Sequence, residues 1–246
     1  MLTSVRSLLV ATFMTGTVLA AAPAAAQADV ADLTITGNAA LVSEYRYRGA
    51  DMSGGDFAIQ GGIDVAHSSG LYIGGWGSSM DNDTVGLGHT ELNLYGGWGT
   101  QVNDALSLDV GALYYVFPNA GPVDSDYVEL FGAVGFGFGP GLVSVGINYA
   151  PEQDALADTD NLYVFADASV GIPTTPVTLT GHVGYTDGAL TFTDDGKAWD
   201  WSVGARYAIS QNLALGVAYV GAEGDHLPGT YDYTDDTVVF SLTASF

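Results

Sequence analysis

Residues 33–48 read LTITGNAALVSEYRYR, and their side chains alternate between two unlike faces. The odd positions are mainly apolar and end in Tyr45 and Tyr47, whereas the even positions are mainly polar and end in Arg46 and Arg48. A period of two is the signature of a β-strand with one apolar face and one polar face. We therefore predict one strand through the whole stretch, with the tyrosines on the apolar side and the arginines on the polar side.

The same period recurs along the rest of the chain. It is clear again in residues 199–209 and 237–246. Several segments have roughly ten residues or more, which is longer than usual in soluble sheets and suits a tilted strand that crosses hydrocarbon. We count twelve segments, which begin near residues 33, 57, 71, 89, 106, 127, 142, 162, 177, 199, 213 and 237.

The connections between these segments alternate between short and long. Short turns at one rim and long loops at the other are typical of bacterial outer-membrane barrels. The sequence therefore predicts an all-β fold, a transmembrane antiparallel up-and-down β-barrel of about twelve strands with short periplasmic turns and long acidic extracellular loops. The long connections hold most of the acidic residues and are predicted at residues 50–56, 80–88, 117–126, 150–161, 187–198 and 221–236.

Aromatic residues lie near the ends of many segments, among them Tyr45, Tyr47, Trp76 and Trp98. Amphipathic rings suit the boundary between hydrocarbon and water. We expect these side chains to form girdles on the outside of the barrel.

The first 28 residues have the features of a cleaved secretory signal peptide. Arg6 precedes an apolar stretch over residues 8–20, and Ala26-Gln27-Ala28 fits a cleavage box. We expect residues 29–246 to form a single barrel domain in the cell outer membrane.

Composition excludes several other classes of protein. The chain has 28 acidic and 5 basic residues, a formal charge of −23 and no cysteine. Nucleic acid is a poor partner for such a charge, and thiolate chemistry is absent. No Gly-x-Ser-x-Gly, His-Glu-x-x-His or phosphate-loop motif occurs. We predict no enzymatic activity, no metal site and no cofactor.

The polar faces of the predicted strands would line the interior of the barrel. This set holds seven carboxylates and three arginines, so its formal charge of −4 predicts a preference for cations or neutral solutes. The predicted pore-lining residues are Glu44, Arg46, Arg48, Asp64, Glu91, Asp109, Glu129, Asp167, Asp200 and Arg206.

Two interpretations of these charges stay open at this point. In an open channel for passive diffusion, arginines would face acids such as Glu129 and Asp167 across a constriction and orient small solutes. In a closed structural or interaction barrel, the same charges would pair and plug a narrow interior. The acidic loops, for example residues 154–160 and 232–236, would then bind divalent cations or envelope components, or simply form a solvated rim.

Three motifs at the start of the chain carry a resemblance to a known family. Residues 43–49 read SEYRYRG, residues 58–64 read AIQGGID, and a Gly-Leu-Tyr hairpin follows at residues 70–72. This part of the chain resembles the TorF-type family of porin-like proteins of proteobacteria. The resemblance implies an outer-membrane barrel with a pore function, without naming a solute or a catalytic residue.

The last residue, Phe246, follows alternate apolar residues at Val238, Phe240, Leu242 and Ala244. This resembles the C-terminal signature of bacterial barrels, which implies that the barrel-assembly machinery is a partner. The other expected partners are outer-membrane lipid, lipopolysaccharide and small solutes.

Overall fold

The structure is a computed structural model that describes residues 32–122, 124–191, 193–224 and 231–246. The predicted signal peptide, residues 1–28, lies outside the described residues. No helix in these ranges is long and apolar enough to cross a membrane. The strands are β1 (Leu33–Val42), β2 (Arg46–Tyr47), β3 (Ala50–Asp51), β4 (Ala58–His67), β5 (Leu71–Ser79), β6 (Thr90–Gln101), β7 (Leu106–Val116), β8 (Tyr127–Phe138), β9 (Gly141–Gln153), β10 (Thr159–Gly171), β11 (Val177–Gly188), β12 (Lys197–Ala208), β13 (Leu213–Glu223) and β14 (Thr237–Ser245).

Twelve of these strands form one closed antiparallel barrel. Each long strand pairs with the next one along the chain, and β1 closes the ring by pairing with β14 as well as β4. Closure pairs both edges of the sheet. Unpaired backbone groups at an open edge would be costly in hydrocarbon. The predicted all-β barrel and its count of twelve strands are confirmed, and every strand begins within three residues of its predicted start.

The two faces of the barrel wall differ as the alternation predicts. Outward positions are apolar and open, with Ile59 70% and Val203 66% exposed. Inward positions are polar, aromatic or small, and many are buried, such as Gln60 and Asn148. Several of the aromatic residues near strand ends do lie on the outside, namely Trp98, Tyr114, Trp199, Tyr207 and Tyr219.

The turns and loops segregate to opposite rims of the barrel, here called the turn rim and the loop rim. One predicted long loop is wrong in extent: residues 150–161 are mostly strand, because β9 continues to Gln153 and β10 begins at Thr159. These two residues pair with each other, so the hairpin projects beyond the rest of the wall. The hydrogen bonds between the Gln153 side chain and both backbone groups of Val128 tie it to β8.

The first strand also ends earlier than predicted. β1 stops at Val42, and residues 43–53, here called the inner hairpin, turn into the barrel, where β2 pairs with β3. Tyr45 and Tyr47 therefore do not face outward: they are 2% and 6% exposed, inside the barrel. Trp76 also points inward, and its ring packs 5.7 Å from the ring of Tyr45. Inside the barrel the hydroxyls of Tyr45 and Tyr47 have hydrogen-bond partners in Glu91 and Tyr127, which offsets the cost of burying them.

Candidate functional site: the barrel interior

The base of the inner hairpin is held by backbone hydrogen bonds to neighbouring elements. Ser43 N donates to the carbonyl of Phe240 at 2.8 Å, and Asp51 N donates to the carbonyl of Tyr233 at 2.8 Å. The carbonyl of Met52 accepts from Asp81 N at 3.0 Å. These bonds place the hairpin at the loop rim, from which its tip extends into the interior.

The tip of the hairpin is held by side chains. Arg48 donates two hydrogen bonds to the carboxylate of Glu129, at 2.7 and 2.9 Å, and both side chains are buried. Glu129 also accepts from Tyr115 Oη at 3.1 Å and from Asn148 Nδ2 at 3.2 Å. The guanidinium lies 4.2 Å from the centre of the Tyr163 ring, a cation–π distance. The positive charge of Arg48 is therefore fully matched within the wall.

A second group of contacts fixes the tyrosines of the hairpin. Tyr45 Oη donates to Glu91 Oε2 at 2.9 Å, and Tyr47 Oη lies 3.2 Å from Tyr127 Oη. The side chain of Arg46 forms an ion pair with Glu44 and donates to the carbonyl of Gly49 at 2.9 Å. The loop-rim half of the interior is thus filled, and both hairpin arginines have an acidic partner.

His182 of β11 joins two acids on the neighbouring strands. Its Nδ1 lies 2.7 Å from Asp167 Oδ1 on β10, and its Nε2 lies 2.8 Å from Asp200 Oδ1 on β12. Tyr163 Oη donates to Asp200 Oδ1 at 3.1 Å, so this cluster extends to the ring that covers the guanidinium of Arg48.

Nearer the turn rim, two acids are held by tyrosine hydroxyls. Asp64 accepts from Tyr95 Oη at 2.5 Å, and Asp109 accepts from Tyr72 Oη at 2.7 Å. In the described part of the chain, no ion pair joins either carboxylate to a basic side chain. Arg206 of β12 also lies on the inner side near this rim, so these two acids and one arginine carry a formal charge of −1.

The side chains of Tyr95 and Tyr72 pack directly over two inward glycines, Gly74 and Gly97. A Cβ atom at Gly74 would lie 2.4 Å from the ring of Tyr95, and one at Gly97 would lie 2.5 Å from Tyr72 Oη. Each ring can therefore lie flat along the wall across the neighbouring strand. The glycines keep the rings out of the centre of the barrel and hold their hydroxyls next to the acids.

All ten sequence-predicted residues lie on the inner side of the barrel. Asp64, Glu91, Asp109, Glu129, Asp167, Asp200 and Arg206 belong to the wall strands. The other three are a correction: Glu44, Arg46 and Arg48 are carried by the inner hairpin and not by the wall, because β1 ends before them. Whether these residues line an aqueous path stays a prediction.

The sequence reasoning missed the aromatic and amide partners inside the barrel. Tyr115, Tyr127 and Tyr163 bond the acids or the hairpin, and Asn148 bonds Glu129. A signal was available: Tyr127 is two positions from Glu129 on the same strand, and the alternation places both on the inner face.

In the loop between β5 and β6, an acidic side chain caps a short helix. Asp81 Oδ2 accepts from the backbone N and the Oγ1 of Thr84 at 2.8 and 2.5 Å, which caps the short helix α1 (Asn82–Val85). These bonds hold the pKa of the Asp81 carboxyl below its usual value. In the ranges that the structure covers, no three acidic or histidine side chains converge as metal ligands.

A closed antiparallel barrel with an apolar outside and a polar inside defines a class, the porin-like β-barrels. A family model described as bacterial protein of unknown function (Gcw_chp) matches residues 25–246, and the chain belongs to this family. No curated protein matches the sequence. The resemblance to the TorF-type family stays a prediction.

Solved structures share the fold at low sequence identity. The NanC porin superposes with a TM-score of 0.61 at 8% identity, covering 86% of this chain and 98% of that one. The KdgM porin gives a TM-score of 0.55 at 8% identity with the same coverage. An outer-membrane channel from Pseudomonas putida F1 gives 0.53 at 14% identity, covering 91% of this chain and 98% of that one.

Proposed function

We propose that the protein is an outer-membrane channel for passive diffusion of small solutes. The observation that carries this proposal is the contrast between the two faces of the closed wall. Its outside is apolar, as at Ile59 and Val203, and its inside holds charged groups such as Asp64 and Asp109. Burying such charges in a dry interior would cost several kcal/mol each, so a polar interior is best explained by contact with water.

The channel prefers cations or neutral solutes over anions. Arg46 and Arg48 are neutralised by Glu44 and Glu129, whereas Asp64 and Asp109 have no basic partner among the described residues. Near the turn rim the two carboxylates outnumber the one inward arginine, Arg206, so the formal charge there is negative and favours cations. KdgM has been solved in complex with oligogalacturonate, an acidic sugar chain. The negative interior of this chain would repel an acidic ligand, so we do not propose that class of solute for it.

A closed barrel is the second candidate, and one observation favours it. The inner hairpin fills the loop-rim half, where Glu91 is 1% and Glu129 0% exposed. On this alternative the acidic loops would bind divalent cations or envelope components such as lipopolysaccharide.

Conductance separates the two candidates. Purified protein in a planar bilayer, under a salt gradient, is expected to give single-channel steps with a reversal potential on the cation side. Liposome swelling with neutral sugars checks the passage of uncharged solutes. An absence of both conductance and swelling would favour the closed barrel, and an anion-side reversal potential would contradict the proposed selectivity.

The position of Phe246 supports the proposed recognition by the barrel-assembly machinery. Its backbone exchanges hydrogen bonds with Gly37 at 2.6 and 2.9 Å, and its ring covers that glycine. Phe246→Ala should lower the amount of barrel in the outer membrane without changing the conductance of the molecules that assemble. Unchanged assembly would contradict this role.

A further inference from the structure

We propose that the inner hairpin is a gate of the channel and that the Arg48–Glu129 pair is its latch. This inference rests on the proposed channel function and adds a regulated closed state. In the closed state the hairpin lies inside the loop-rim half, as the structure shows. In the open state its tip withdraws toward the loop rim and clears the interior.

The base of the hairpin is attached by backbone hydrogen bonds and its tip by side-chain bonds, as expected for a segment that turns about its base. Backbone bonds hold its base through Ser43, Asp51 and Met52. As strands, β2 and β3 pair only with each other among the described residues, so the hairpin is not a thirteenth strand of the wall. The bonds that Arg48 and Tyr47 form with the wall are side-chain bonds, which can break without disturbing the barrel ladder.

A connection with two adjacent glycines follows the hairpin. Gly54 and Gly55 have φ angles of +66° and +76°, in the left-handed region that glycine adopts easily. A Cβ atom at Gly55 would have no neighbour within 4 Å, so the backbone there is not clamped by packing. Gly54 is different, because a Cβ atom there would lie 2.6 Å from Thr84 Oγ1. Rotation at Gly55 would move the hairpin together with Gly54, while β4, which begins at Ala58, stays in place.

The closed state also contains polar groups that are only partly satisfied. Arg48 Nε and Nη1 and Arg46 Nε are buried and have no hydrogen-bond partner in the described structure. Buried donors without partners lower the stability of the arrangement that buries them. Withdrawal would return these nitrogens to water, at the cost of the Glu129 bonds and the tyrosine packing. The two states are therefore balanced by opposing terms, as a switch requires.

One cysteine variant can test the latch in both directions, because the chain has no cysteine of its own. Arg48→Cys with Glu129→Cys lacks the ion pair when both thiols are reduced. A short bis-methanethiosulfonate cross-linker then ties the hairpin tip to the wall, because it forms a disulfide with each cysteine as methanesulfinate leaves. We expect the reduced variant to conduct and the tied variant to lose its steps. Reduction should restore them. A monofunctional methanethiosulfonate, which modifies each cysteine without linking the two, controls for added bulk. It should leave most of the conductance.

Glu129→Gln provides a second variant that keeps the size of the side chain. It removes the charge that compensates Arg48, so the open probability should rise roughly tenfold or more. The mobility of folded barrel on unheated gels confirms that each variant is assembled.

The possible failures can be told apart. Equal conductance of the tied and reduced forms, equal closure by the monofunctional reagent, or an unchanged open probability in Glu129→Gln would overturn the gate and leave the channel standing. No steps from wild type, Glu129→Gln and the reduced variant, all folded, would overturn the channel and the gate together.

Discussion

The two halves of the barrel interior differ in whether their acidic side chains form ion pairs. In the loop-rim half, Arg48 and Glu129 neutralise each other under a cover of aromatic rings. In the turn-rim half, Asp64 and Asp109 accept hydrogen bonds from tyrosine hydroxyls and form no ion pair within the described residues. The difference shows that a count of lumen charges does not give the field that a solute meets, since paired charges cancel and unpaired ones do not.

The largest expected effect concerns the paired half. Arg48→Met leaves the Glu129 carboxylate buried without its cation, and the free energy of unfolding should fall by about 3 kcal/mol or more. Urea unfolding in detergent, followed by tryptophan fluorescence, measures this loss. The double variant Arg48→Met, Glu129→Met should recover most of it. A small loss in the single variant would show that the hairpin docks only weakly, and no recovery in the double variant would contradict the pairing.

A second prediction addresses the unpaired half. Asp64→Asn with Asp109→Asn removes two carboxylates that form no ion pair within the described residues and leaves Arg206 as the inward charge near the turn rim, so the ratio of cation to anion permeability should fall several-fold. Reversal potentials under a salt gradient measure the ratio. Asp104→Asn is the matched control, because Asp104 is exposed in a turn and its charge is screened by salt. If Asp104→Asn lowers the permeability ratio as much as the double variant does, the ion selectivity is set by charges at the turn rim and not by Asp64 and Asp109.

A third prediction tests the close contact between Gly74 and the Tyr95 ring in the turn-rim half. Gly74→Ala puts a methyl group within 2.4 Å of the Tyr95 ring, so the ring must move and its bond to Asp64 weakens. We expect a loss of about 1–3 kcal/mol in the free energy of unfolding. Gly181→Ala serves as the control, since its Cβ would have no neighbour closer than 3.9 Å. If both substitutions lower the free energy of unfolding equally, the close contact between Gly74 and the Tyr95 ring has no special structural role.

The smallest expected effect lies at the loop rim. The pKa of Asp81 is held below its usual value by hydrogen bonds from Thr84, so this carboxylate contributes stability at neutral pH that is lost as the pH falls through its pKa in the folded state. The contribution is small, because the group is close to solvent. Thr84→Val removes one donor and should raise the Asp81 pKa in an NMR titration. An unchanged pKa would assign the shift to the backbone bond alone.

The inner hairpin marks the limit of what the alternation could predict. Residues 43–48 continue the period of β1 without a break, and the same alternation suits a wall strand or a short hairpin inside the barrel. The composition does not separate the two cases, because Tyr45 and Tyr47 suit a membrane interface as well as a buried polar cluster. Their hydrogen-bond partners, Glu91 and Tyr127, are distant in sequence.

The amino-acid sequence determined the closed barrel, its strands and which face of each strand is polar, because side-chain direction in a strand depends only on position along the chain. It also determined that Asp64, Glu129 and Asp200 point inward. Only the tertiary structure decided which charges are paired. Ion pairs such as Arg48–Glu129 join residues far apart in the chain, and their contact depends on the inward turn of the hairpin after Val42.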